Sequence, residues 1–568
     1  MDERPWFLPV NSSRIPILIG EVADPAFATR IRQTISTRPQ SHIPRTAYPA
    51  DDLVPDCAIP KLNHVHARVL LKTALAYFDG RYHIVRKSAT WALFEKYIQA
   101  PASLDPLSKC KIFALFAFGE LCSSQGKSSS DGVPGMAFFK EASKAYGVLH
   151  ERPTTDYVET CLILALYSLH VNRRHSAYFL ASSAIRHCIV MGLHFNVPDS
   201  QIHDAGTREH LNRLWWTSYL LDHQCATISS QAISVSDEEI FVDLPKEIQL
   251  PEPQAVDFQC TDSLASRISL ARLTNKIIRT LYGRSTYSSP FLGRAQSALK
   301  DLRQWYRIMP ESLRATADGS YRGPATMDLH LSFNQCLILT TRPVLLYVTR
   351  VRMTAGVDSP SMDHLHTDTR TLAEACIQCA RDSFNIITEA WSEGSVRTFD
   401  CFTTQQLFSA ATILAIASLL TDSPEEDRQK FEFASHLLES LRDAGNYPAR
   451  HYCQHLDGIK SDIQSLTSAG EPCPSNNDAI TEGPHSSVEA HQNVSAIQPR
   501  ASIADVGPPL LMTQQAAGGS SAVFMEPSMG AFLSQDEFYP AQLDEFLTDT
   551  QMQGIYWPNL DSDLDTTY

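Results

Sequence analysis

The chain of 568 residues is short of positive charge: 48 Lys and Arg stand against 63 Asp and Glu, a formal net charge of −15. Such a balance lacks the positive field that holds a phosphate backbone, so autonomous DNA binding is disfavoured. Long hydrophobic runs are missing as well. The longest, at 407–420 and 161–169, fall short of the roughly 18–20 apolar residues that span a bilayer, and no membrane contact is expected. The N-terminus has no basic segment followed by an apolar run, so a secretory signal is not expected and the protein should stay inside the cell. The thirteen cysteines form no disulfide framework. Cys110, Cys161, Cys188, Cys336 and Cys376 fall inside apolar helical stretches and read as small core residues of a reducing compartment. The one close pair, Cys376 and Cys379, has no second pair nearby to complete a four-ligand zinc site.

Catalytic signatures are equally scarce. Gly-rich phosphate loops, G-x-S-x-G and H-E-x-x-H do not occur in usable form. Asp51-Asp52 opens an aspartate-rich metal motif, but Pro55 stands where the last acid belongs and breaks the helix that would present it. His64 and His66 lie at a helical start, where residues two apart point in different directions. Asp561, Asp563 and Asp565 open a calcium-type loop, yet Thr566 replaces the required Gly and no bidentate Glu follows. No catalytic residue, metal or cofactor is expected.

What the chain does have is helical periodicity. Residues 1–60, rich in Pro, Ser and Arg, read as an extended arm pinned to a larger body through Trp6, Phe7, Ile15 to Ile19 and Phe27. From Leu62, apolar residues recur at three- and four-residue spacing until Gly80. Helices are then predicted at 88–99, 107–123, 136–149, 154–171, 175–192, 207–229, 262–282, 291–308, 326–350, 367–393, 402–420, 425–443 and 448–466. Their irregular spacing supports no fixed-period repeat. Two of them, at 161–169 and 407–420, carry no charge on any face and belong at the centre of a multilayer bundle. The fold class is therefore all-α, with a multi-helix, multilayer body over 61–468.

Past residue 468 the composition changes. Residues 469–520 are mainly Ser, Gly, Pro, Asn, Gln and Ala, too little apolar surface to offset ordering entropy, and read as a disordered linker. Residues 521–568 interleave aromatics with acids, a pattern of activation segments. Ten Asp or Glu and no Lys or Arg lie in 501–568, two thirds of the net charge. Leu543, Phe546 and Leu547 fall at i, i+3 and i+4, so a transient helix there would offer one apolar face to a partner groove. With Phe538, Tyr556 and Trp557 they are the candidate activating residues; the plainer reading is a solvating tail whose aromatics do nothing.

The segment 209–245 resembles the signature region of the fungal-specific transcription factor domain, the middle homology region of fungal zinc binuclear cluster regulators. Arg213, Trp215, Trp216, Tyr219 and Asp222 look like its R-x-W-W-x-x-Y-x-x-D helix, and 233–240 with Val242, Asp243, Leu244 and Pro245 like its following loop, which includes Asp237. Upstream, 184–194 is similar to the family's A-x-R-x-A-x-x-L-G-L-H segment. Downstream, Phe333-Asn334-Gln335-Cys336 and Thr341-Arg342-Pro343 match a later stretch. The resemblance covers about 60–460. It departs at 228–231, where the family has a basic, Gly-containing turn, and no six-cysteine zinc cluster is present in the sequence.

Read physically, the two tryptophans suit core packing between helical layers, with Arg213 and Asp222 at the rim. Arg213 is expected to pair with an acid of 236–239 or to cover a helix C-terminus. The resemblance implies a nuclear transcriptional regulator, an activator or co-regulator of a metabolic or secondary-metabolite gene cluster. It would reach DNA indirectly, as a homodimer or as a heterodimer with a zinc-cluster regulator, and recruit the transcription machinery or coactivators through its tail. An alternative is an all-α enzyme or small-molecule-binding protein with a pocket near Trp215 and Trp216 lined by His187, His194 and His223; another is an inhibitory scaffold with an inert tail.

Overall fold

The computed structural model describes residues 6–10, 13–36, 38–45, 47–49, 59–126, 132–144, 152–283, 289–316, 320–355, 366–421, 424–469 and 522–535. A hairpin of β1 (Trp6–Val10) and β2 (Ser13–Ile19), antiparallel with Trp6 opposite Ile19, precedes an all-α body. The first helices are α1 (Asp24–Ile35), α2 (His64–Phe78), α3 (Lys87–Gln99), α4 (Pro106–Ser123), α5 (Met136–Ser143), α6 (Thr155–His170), α7 (Arg174–Val190), α8 (Ala205–Ser229) and α9 (Thr261–Tyr282). The others are α10 (Phe291–Ile308), α11 (Pro324–Ala355), α12 (Thr367–Ser392), α13 (Cys401–Leu420), α14 (Pro424–Asp443), α15 (Tyr447–Ala469), α16 (Ala522–Met525) and α17 (Pro527–Ser534).

The predicted helices are present, their starts set by the expected chemistry. The carboxylate of Asp105 accepts from the Ser108 amide at 2.9 Å and that of Asp400 from the Phe402 amide at 3.0 Å. The end predicted at 149 cannot be compared, since 145–151 lie outside the described residues. The helices enclose two apolar cores. One is built by α2 to α8 with the start of α9; the other by the rest of α9 and α10 to α17, with α1. The two charge-free segments sit where expected: α6 is buried from Tyr157 to its end, and α13 lies inside the second core. α13 is long and apolar enough to cross a membrane by length and composition, but its place among α11, α12, α14 and α15 accounts for that composition. At Gly119 of α4 a Cβ would fall 2.1 Å from the Leu70 carbonyl oxygen, so α2 and α4 pack at a distance only glycine allows.

Two segments differ from the sequence expectation. Within the arm, residues 24–35 are helical rather than extended: Pro25 occupies the first turn, and Phe27, Ala28, Ile31 and Ile35 enter the second core. Its polar residues hid this face. Arg30 is almost fully buried and paired with Glu21, and Asp24 is buried against α11. Residues 522–535, grouped by sequence with the acidic tail, form α16 and α17 on the body. Val523, Phe524, Met529, Phe532 and Leu533 are buried in the second core against α10 and α12. Gln296 donates to the Phe532 carbonyl at 2.7 Å and the Gln535 carbonyl at 3.0 Å, and Gln535 donates to Asp368 at 3.2 Å. Of the linker 469–520, Ala469 ends α15 and the rest lies outside the described residues, as do the candidate activating residues Phe538, Leu543, Phe546, Leu547, Tyr556 and Trp557, and Asp51, Asp52 and Asp561 to Asp565.

α11 runs through Pro343, which has no amide hydrogen to offer the Leu339 carbonyl one turn back. The Tyr282 hydroxyl donates to that carbonyl at 2.7 Å. Tyr282 in turn accepts from Arg342 Nε at 3.0 Å, while Arg342 Nη1 meets Asp24 at 2.8 Å and Nη2 the Val22 carbonyl at 2.7 Å. The guanidinium also lies 5.0 Å from the Phe27 ring centroid. Thus Thr341-Arg342-Pro343 is a buried junction joining α1, α9 and α11.

A second buried cluster seats the arm on α15. The rings of His42 and His455 are 5.6 Å apart, and those of His455 and His451 4.9 Å. His42 also contacts the Thr29 hydroxyl at 2.8 Å. The charged groups that act on the cluster, Arg32, Arg45 and Arg174, are cations. Burial lowers the His42 pKa to about 4, and burial followed by histidine and arginine neighbours lowers those of His451 and His455.

Two expectations follow. Arg342→Met strands the Asp24 carboxylate and should cost about 3–5 kcal/mol, and Tyr282→Phe, which orphans the Leu339 carbonyl, about 1–3 kcal/mol. An unmoved denaturation midpoint in both variants would contradict the junction. The histidines have folded pKa values below the ordinary 6.5, so the unfolded chain binds protons first as pH falls. Stability should be fully present above pH 6.5 and decline toward pH 4, by about 3 kcal/mol for His42 alone. His42→Phe should flatten that decline in urea titrations; an equal slope contradicts it.

Candidate functional site

α8 begins at Asp204, whose carboxylate accepts from the Thr207 amide at 2.7 Å, and ends at Ser230 in the left-handed region at φ 51°. Trp215 and Trp216 are fully buried in the first core, together with Leu214 and Tyr219. The polar members of the motif hold the loop that follows the helix. The Trp216 indole donates to the Asp243 carbonyl at 2.8 Å, and the Tyr219 hydroxyl to Asp237 at 2.6 Å. Asp222 accepts from the Ser234 amide at 2.8 Å and its hydroxyl at 2.6 Å. Pro245 is buried at the end of this loop, while Asp243 is exposed and pairs with Lys246 at 2.7 Å.

Arg213 and Asp222 are not at the rim. Their exposures are 1% and 0%. Arg213 does not pair with 236–239; it does cover a helix end, the Gln259 carbonyl that caps the short 3-10 helix Gln254–Phe258. Its Nε meets Glu209 at 2.6 Å, and its Nη atoms reach the Lys246 carbonyl at 3.0 Å, the Gln259 carbonyl at 3.2 Å and the Thr261 hydroxyl at 2.7 Å. The reason is hydrogen-bond demand: loop 233–261 crosses the helix with carbonyls turned inward, and a buried guanidinium satisfies several at once. Burial raises the Glu209 pKa, opposed by Arg213, and burial raises that of the Tyr219 hydroxyl, with Asp237 adding to it. Arg272 lies 4.8 Å from the Trp216 ring centroid and 3.9 Å from Asp237, closing the clamp from α9.

The three histidines of the pocket alternative are dispersed. His187 packs on Tyr157 with ring centroids 4.4 Å apart, and His194 lies 5.8 Å from Trp215. Of the three, His223 lines a cavity of about 710 Å³ whose described wall includes neither tryptophan. The cavity lies between the C-terminal part of α8 and helices α9, α11 and α13, with residues 18–22 along one side. The pocket expected beside the tryptophan helix thus lies along its C-terminal part and keeps only His223 of the expected lining; the other walls come from segments with no local motif. Cys376 and Cys379 are buried in α12, His64 and His66 are exposed on α2, and no group of three or more metal-ligating side chains occurs among the described residues.

Comparison with known proteins gives this geometry a context. Residues 75–307 match the family model of the fungal specific transcription factor domain, which takes in α3 to α9 and the whole α8 clamp. An uncharacterised transcriptional regulatory protein of Schizosaccharomyces pombe is 25% identical over 381 residues, 64% of this chain and 46% of its own length. The thiamine repressible genes regulatory protein of the same yeast is 20% identical over 331 residues, 55% of this chain and 40% of its own. Activator of stress genes 1 of Saccharomyces cerevisiae is 24% identical over 272 residues, 45% of this chain and 28% of its own. The chain spans less than half the length of these relatives. Over residues 75–307 the chain is similar to the fungal specific transcription factor domain.

Proposed function

We propose that this protein is a nuclear transcriptional regulator, an activator or co-regulator of a metabolic or secondary-metabolite gene cluster, rather than an enzyme. The observation that carries the reading is the match of 75–307 to the fungal specific transcription factor domain, with its signature residues gathered in the α8 clamp. The relatives' names speak of regulating genes, in one case thiamine repressible genes, which supports a metabolic target set. The 568 residues carry no six-cysteine cluster and a net charge of −15, so their route to DNA is assigned to a partner: a zinc-cluster regulator, or a second copy joined to one. The acidic-aromatic residues past 535 are assigned to recruiting the transcription machinery or coactivators.

The docked α16 and α17 bear on where such an activity would begin. Their apolar residues are committed to the body, so the free activating stretch is expected to begin after Gln535. Residues 536–568 fused to a neutral DNA-binding module should activate a reporter as well as 521–568 does, and Phe546→Ala with Leu547→Ala should abolish most of the signal. Output unchanged by the double substitution sinks the activation assignment; silence of both fusions favours the inhibitory-scaffold reading.

A further inference from the structure

The cavity bounded by α8, α9, α11 and α13 differs from the α8 clamp in both position and chemistry. Its volume of about 710 Å³ lies within the range of sites for drug-sized molecules. Apolar side chains such as Leu220, Leu270, Ala271, Ile278 and Leu339 supply most of the wall. The charged groups of the wall are engaged elsewhere or stand at the edge. Arg267 donates to the carbonyls of Gly80 and Ala325, and Glu21 is paired with Arg30. Arg279 is exposed. Gln335 and Gln405 both reach the Asp24 carboxylate, at 3.2 and 2.7 Å, which ties the wall to the Arg342 junction.

His223 belongs to the wall with its ring buried. His223 is 4% exposed and its Nδ1 lies 2.9 Å from the Tyr219 carbonyl oxygen. A carbonyl only accepts, so Nδ1 carries the proton and Nε2 is an acceptor. Among the described residues nothing donates to Nε2. Burial lowers the His223 pKa and keeps the ring neutral.

We propose that this cavity binds an uncharged, largely apolar small molecule, and that its occupancy seats the N-terminal arm. The arm supplies Leu18, Gly20, Glu21 and Val22 to the wall. It is clamped to the end of α8 where the Ser230 hydroxyl donates to the Gly20 carbonyl at 3.2 Å. A Cβ at residue 20 would fall 2.4 Å from that of Ser230, so the close approach depends on glycine. Two walls, α8 and α9, belong to the matched domain, whereas the arm, α11 and α13 lie outside residues 75–307. A ligand therefore touches the arm together with α8, α9, α11 and α13.

The test uses the full chain and Nile red, a neutral solvatochromic dye, with decan-1-ol and decanoate as competitors of equal chain length. Saturable dye binding is expected, displaced by decanol at least tenfold more effectively than by decanoate. Ala271→Trp and Ile278→Trp, two independent fillings, should each weaken dye binding tenfold or more while thermal unfolding stays cooperative. Gly20→Val should weaken binding by prising the arm from Ser230. Decanol should slow hydrogen exchange across residues 18–36. No saturable uptake, or uptake unchanged in both filled variants, overturns the site; decanoate competing as well as decanol overturns the ligand class; unchanged exchange in the arm with decanol bound overturns the coupling. None of these readouts depends on reporter output, so the site can fail while the regulatory reading stands, and the reverse.

Discussion

The buried guanidinium of Arg342 is the contact on which the second half of the molecule depends. It sits where α11 is interrupted by Pro343, and it meets Tyr282 of α9, the carboxylate of Asp24 and the carbonyl of Val22. A buried ion pair by itself is weak evidence of stability, because desolvation offsets much of the attraction. Here the charge is distributed over a carboxylate, a backbone carbonyl, a phenol and two aromatic faces, so removing any partner leaves a polar group stranded in the core. Tyr282 does two things at once: it accepts from Arg342 and supplies the donor that Pro343 lacks. The proline, the arginine and a tyrosine sixty residues away form one solution to one backbone defect.

The same logic explains which parts were legible in sequence. Helix positions followed from apolar spacing, and α6 and α13 announced their central place by having no charge on any face. The α8 motif was legible as a set of residue types but not as a burial pattern. Arg213 and Asp222 look like surface residues until the loop that crosses them is known, because the demand they meet comes from carbonyls and amides at 234, 246 and 259. α1 was hidden for the converse reason. Its apolar face is short, and its polar residues, Asp24 and Arg30, are buried with partners far away in sequence or in the preceding turn.

Residues 522–535 show a related limit of composition. A stretch with few charges beside a low-complexity linker reads as part of a tail, yet Val523, Phe524, Met529, Phe532 and Leu533 form a compact apolar group that the α10 and α12 surfaces accept. What decides is the complementary face elsewhere in the chain, and no local window contains it. The cavity is an extreme case: its walls draw on residues from Leu18 to Gln406, and no two of its five segments are adjacent in sequence except α8 and α9.

The position of that cavity follows from the way the two cores meet. α9 contributes Leu264 and Ile268 to the first and Leu270, Ile277 and Leu281 to the second, so its middle turns face both. Close packing fails more readily at such a seam than within either core, since each core fixes its own side of the helix and the side chains between must span what remains. The arm closes the seam from outside, held by Gly20 against Ser230 and by Asp24 against Arg342. Of these two attachments one is made at the end of α8, in the matched domain, and the other to α11, outside it. Any change in how the cores sit would therefore be felt first by the arm, whose attachments would be pulled apart, and a molecule filling the seam would oppose that change from within.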